Sequence, residues 1–141
     1  MPSVTRKPSS SRESLVERQH NLLHAMGWAH IHVRSNVWSP PTDMYETEKA
    51  YIVRVEIAGM REEDFLVSVE GDYLVVSGVR QESPERRAYH QMEIRFGKFV
   101  TVIGIPGPVD VDQAQAEYEN GFLVVTLPKA QPNRISVKDD E

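Results

Sequence analysis

The sequence predicts an all-β fold: an antiparallel β-sandwich, preceded by a partly helical arm and followed by an extended tail. From Tyr45 to Lys129, apolar side chains recur at every second position over several short runs, the spacing of strands with one buried face. Glycine-bearing reversals separate those runs, and no helical periodicity interrupts them. With 141 residues and 40% apolar side chains, the chain has material for one core with appendages.

Taken in order, residues 1–12, "MPSVTRKPSSSR", are rich in Ser, Pro and Arg and are expected to be disordered. Ser14 to Met26 reads as a helix. Ser10-x-x-Glu13 and Ser14-x-x-Glu17 both match the capping-box pattern, and Gly27 supplies a C-terminal stop. Leu15, Leu22 and Met26 line one stripe with Val16 and Leu23 beside it, while Glu13, Glu17, His20 and His24 take the other face. So short a helix is marginal unless it docks on something. "SPP" at 39–41 then breaks the chain.

Beyond Tyr45 the period is two. Tyr51, Val53, Val55 and Ile57 alternate with Ile52, Arg54 and Glu56 until Gly59 ends the strand. Phe65, Val67 and Val69 form a second strand, and Gly71-Asp72 makes a turn. "YLVVSGV" is a third, apolar enough to require cover on both faces. "QESPERRAYH" (81–90) is a charged loop, and "MEIRFGKFVTVIGIP" resumes as strand, interrupted at Gly97 and ended by Pro106. In "AEYENGFLVVTLPK" (116–129), Asn120-Gly121 accepts the positive φ angles of a type I′ hairpin.

Composition excludes several functions. Residues 1–34 carry five basic and two acidic side chains, a balance of +3; the remainder stands at −8, giving −5 in all. An acidic body argues against nucleic acid as a partner. The Arg/Ser-rich start resembles a transit peptide, but Glu13 and Glu17 follow at once and the basic groups are few. There is no cysteine, hence no disulfide, thiolate metal site or thiol nucleophile, and a cytoplasmic location is expected. No apolar run reaches the roughly 20 residues of a membrane span.

Candidate chemistry is sparse. His20/His24 and His30-x-His32 have metal-ligand spacing, but a solvated face explains them better, so no metal or cofactor is expected. Asp139, Asp140 and Glu141 read as a solubilising tip rather than a calcium site. Neither G-x-S-x-G nor G-x-x-x-x-G-K-[ST] occurs, so neither a nucleophile elbow nor a nucleotide-binding loop is visible, and an enzyme is not expected.

The hairpin carries a more specific message. Ala116, Asn120, Gly121, Leu123, Leu127, Pro128 and Lys129 resemble the signature of the small heat-shock proteins, A-x-x-x-N-G-x-L followed by L-P-K. Gly59, Asp64-Phe65 and Ser77-Gly78 lie where that family's α-crystallin domain has them; "YHQMEIRFGKF" is similar to the bacterial and plant type, and "RISV" to its Ile-x-Ile/Val tail motif. The resemblance runs in order over about residues 38–137. Two positions depart from it: Thr101 stands where the family commonly has an arginine, and Ala58 where it has proline.

The resemblance implies an immunoglobulin-like α-crystallin sandwich over 39–130, an arm over 1–38 and a tail over 131–141. It implies an apolar groove at the sandwich edge, matched by Phe65, Val67, Val69, Ala114 and Ala116, which receives tails of neighbouring subunits or segments of unfolding proteins. Alternation alone reads Val67 and Val69 equally well as core or groove. Ile135 and Val137, two apart, are the tail's anchors. Tyr89, Met92, Ile94 and Phe96 would anchor a strand given to a partner, making a homodimer that assembles into a larger homo-oligomer. The implied function is that of an ATP-independent holdase chaperone preventing aggregation under stress. Its client-binding residues would be Leu15, Val16, Leu22, Leu23, Met26 and Trp28, a Met-containing apolar set suited to varied partners. The alternative is a β-sandwich adaptor or co-chaperone for one defined protein partner.

Overall fold

Alternation assigns each strand an inward face, and the inward faces of two sheets make the core. The structure, a computed structural model, describes residues 2–7, 37–131 and 137. Eight strands run in chain order: β1 (Val4–Lys7), β2 (Thr42–Glu46), β3 (Ala50–Glu56), β4 (Phe65–Glu70), β5 (Tyr73–Arg80), β6 (Gly97–Gly104), β7 (Gln115–Glu119) and β8 (Phe122–Pro128). One sheet has the order β1-β4-β5-β6 and the other β2-β3-β8-β7. Every pair is antiparallel except β1 with β4, which is parallel. The all-β sandwich expected from the alternating runs is the observed fold, and no α-helix occurs among the described residues.

Val53, Val55, Leu123, Val125 and Leu127 project from β3 and β8 against Phe65, Val67, Val69, Leu74, Val76 and Phe99 of the facing sheet, all buried. β8 is apolar at nearly every position, but its burial still alternates: Leu123, Val125 and Leu127 are buried while Phe122 is exposed beneath the Arg54 guanidinium. The β7–β8 reversal has φ of 54° at Asn120 and 82° at Gly121, the pair of positive values that a type I′ turn requires.

Polar ties hold the sheets where apolar packing runs out. The Tyr118 hydroxyl donates to the Ile57 carbonyl at 2.8 Å and accepts from the Met60 amide at 3.2 Å, pinning the chain as it leaves β3 to β7. Thr101, at the family's arginine position, is buried; its hydroxyl lies 3.0 Å from that of Thr42, joining β6 to β2.

Three stretches differ from the sequence reading, the first being β2, which no buried position marks. Val4–Lys7 lies inside the stretch expected to be disordered, yet forms β1 because the edge of β4 offers unpaired backbone groups and Val4 packs against the core. The strand expected to begin near Met92 begins at Gly97, and residues 81–96 carry no strand. An alternating segment with no edge within reach has nothing to pair with.

Candidate functional site

The margin where β4 faces β7 brings together the five residues that the resemblance assigns to a groove. Phe65 packs against Tyr118 of β7, with ring centroids 5.0 Å apart, and edge-on to Phe99 at 6.2 Å. Val67, Val69 and Ala116 are buried with it, and Ala114 is half-buried against the same cluster. The free edge of β4 is occupied by the chain itself: Val4, Thr5, Arg6 and Lys7 stand opposite Val67, Ser68, Val69 and Glu70. In this single chain Phe65, Val67, Val69 and Ala116 are therefore core, Ala114 lies half-buried at its edge, and β1 is their flank. Neither β1 nor Val4 was legible as part of this margin, and the only local signal is a four-residue run with one apolar side chain.

A second surface is the strap formed by residues 81–96. Arg80, at the end of β5, holds it from below. Its Nε donates to the Arg95 carbonyl at 2.9 Å, Nη2 reaches the same oxygen, and Nη1 donates to the Ala58 carbonyl at 3.4 Å. The guanidinium also lies over two rings, 4.6 Å from the Trp38 centroid and 5.4 Å from that of Phe96. A planar cation between two aromatic faces is attracted to both. Phe96 is thus half-buried at the root of the strap, whereas Tyr89, Met92 and Ile94 are exposed along it. The Tyr89 hydroxyl is hydrogen-bonded to Glu82 at 2.8 Å. Across the molecule, β2 is an edge strand with Met44 and Tyr45 exposed. The clamp role of Arg80 was not legible, because its partners are backbone carbonyls and rings far from it in sequence.

The tail leaves β8 through two further ties. Lys129 Nζ is 2.6 Å from the Glu46 carboxylate and lies over the Tyr51 ring. Val137 is 84% exposed, the highest value for a large apolar side chain in the described structure. Ile135 lies outside the described residues, as do the helix expected over 14–26 and Leu15, Val16, Leu22, Leu23, Met26 and Trp28. Among the described residues no group of His, Asp and Glu is placed to hold a metal, and no helix is long and apolar enough to cross a membrane.

Residues 43–139 match the Hsp20/alpha crystallin family. The 16.9 kDa class I heat shock protein 1 of Triticum aestivum is 38% identical over 99 residues, which cover 68% of this chain and 66% of that protein. The small heat shock protein C2 of Rickettsia felis is 31% identical over 97 residues, covering 67% of this chain and 63% of its own length. The chain thus spans somewhat less than two thirds of either relative. Among solved structures, heat shock protein 16.0 from Schizosaccharomyces pombe is similar with a TM-score of 0.60 at 32% identity, over 71% of this chain and 83% of that one.

Proposed function

Because this chain belongs to the Hsp20/alpha crystallin family of small heat shock proteins, which are chaperones rather than enzymes, we propose that it is an ATP-independent holdase. It would capture partly unfolded proteins on apolar surface under stress and keep them from aggregating. The observation that carries this reading is how much large apolar side chain the folded chain leaves uncovered. Met92 is 56%, Ile94 65% and Val137 84% exposed. Such surface on a folded sandwich marks contact with other chains.

Those contacts divide into assembly and client capture. The strap, with Tyr89, Met92 and Ile94 outward and Phe96 at its root, would pair with the open edge of a second copy's β2, giving a dimer by strand addition. Ile135 and Val137 would seat on the β4 margin of a neighbour, at Phe65, Val67, Val69, Ala114 and Ala116, taking the place that β1 holds in the single chain and linking dimers into a larger homo-oligomer. Client contact falls to Leu15, Val16, Leu22, Leu23, Met26 and Trp28 of the arm. A cytoplasmic location belongs to the same reading and accords with a chain free of cysteine.

The test is suppression of heat-induced aggregation of an unrelated protein, followed by light scattering with no nucleotide present. Suppression at equimolar subunits is the expected result. Scattering that rises as fast with the chain as without it would overturn the holdase reading.

A further inference from the structure

The outer face of the β1-β4-β5-β6 sheet is the unexplained surface of this molecule. Alternation turns Leu66, Tyr73, Val75, Val79, Val100 and Val102 away from the core. They adjoin one another: Val75 stands opposite Val102, and Ser77 lies between Leu66 and Val100. Leu66, Tyr73 and Val79 are exposed and the other three half-buried. Toward one corner this face closes over, since Ser68 and Glu70 also point outward, yet each is only 8% exposed.

The ends of residues 8–36 bear directly on that face. β1 runs parallel to β4 and ends at Lys7, level with Glu70, on one side of the sheet. The chain is described again at Val37, and Trp38 bridges Phe99 of β6 in parallel, with hydrogen bonds to Lys98 and Val100, on the opposite side. The register places Phe99 level with Gly78 and Phe65, five residues along β4 from Glu70. Twenty-nine residues therefore join two parallel segments at opposite margins of one sheet and opposite ends of its strands. A parallel connection has to pass over a face of the sheet, usually as a helix. The inner face is filled by β3 and β8, so the outer face is the one available.

We infer that the segment over 14–26 crosses the outer face of this sheet as an amphipathic helix, laying its Leu15/Leu22/Met26 stripe on Leu66, Val75, Val100 and Val102. The lengths agree. Four strand spacings and five residues of strand give a diagonal of about 25 Å. A 13-residue helix covers about 20 Å of it, and the other sixteen residues reach both ends with slack. The crossing begins at the corner where Ser68 and Glu70 are already covered. It also supplies the second cover that the apolar "YLVVSGV" of β5 requires.

This seat goes beyond the chaperone reading, since it is where the stripe rests when no client holds it, and it is tested without any client. The chain has no cysteine, so Leu22→Cys can be paired with Val75→Cys, with Val102→Cys as a second face position, and with Met44→Cys on the far sheet as control. Each full-length variant is oxidised as an equal mixture of unlabelled and 15N-labelled chains, and the disulfide peptides are quantified by mass spectrometry. Both face pairs should cross-link within one chain at least tenfold more than the Met44 pair. Cross-links found only between differently labelled chains would give the face to a neighbouring copy's arm. Equal yields at Met44 would show that the segment has no seat there. Either result overturns the proposal, and circular dichroism of the reduced variants identifies any that fail to fold, for which the other face position decides.

Discussion

A Cβ at position 78 would lie 2.6 Å from the Asp64 carbonyl oxygen and 2.8 Å from Phe99 Cζ, so glycine is dictated there by space. Backbone cannot yield as a side chain can, and overpacking of this kind costs about 1–3 kcal/mol. Gly78→Ala should lower the urea midpoint accordingly without changing the slope of the transition; a midpoint equal to the parent's would mean that the Asp64 backbone and Phe99 both give way at no cost. Position 101 shows the opposite case. The sequence flagged Thr101 only as an arginine missing from the family pattern, whereas the structure gives it a partner, Thr42, on the other sheet. That partnership joins residues 59 apart in sequence, so no local pattern could have announced it.

Among the elements, β3 and β4 were legible because apolar side chains alternate along them, and β5 and β8 because they are short apolar runs that follow glycine turns. β2 was not, since its burial pattern runs from half-buried to exposed with no buried position to mark it. β1 failed for a different reason: a short, mostly polar run becomes a strand only because a distant edge is vacant. The five residues that the family resemblance assigns to a groove lie at one margin of the sandwich, but the strand that flanks them was not legible. Removing residues 1–7 should leave the sandwich folded, with a loss of about 1–3 kcal/mol for the half-buried Val4 and the buried Pro2. Amide protection over Phe65–Glu70 should fall in hydrogen exchange; unchanged protection would mean that β1 contributes no pairing. The strap is strand-like in pattern but unpaired in one chain, as expected if its partner edge lies on another molecule. Deleting Arg86 to Arg95 should convert dimers to monomers or aggregates in native mass spectrometry, and an intact dimer would remove the strap from the interface.

For the whole molecule, assembly should depend on the tail. Burying Ile135 and Val137 contributes about 3–6 kcal/mol at roughly 1.5–3 per side chain, while ordering three residues costs about 1–2 kcal/mol each. One tail contact is therefore weak, but many on one assembly hold it because later contacts are intramolecular. Ile135→Ala with Val137→Ala should reduce a multi-subunit particle mostly to dimers by light scattering while leaving the sandwich's thermal transition nearly unchanged; an unchanged particle mass would show that another segment links the subunits. The parallel pairing of β1 with β4 has a consequence in time. Val4 is opposite Val67, so on the ribosome the first strand emerges 63 residues before its partner exists. At about 5–20 residues per second that is a wait of roughly 3–13 s. Through it a nascent "VTRK" carries one aliphatic side chain and two cations, a composition that resists premature pairing with other nascent chains.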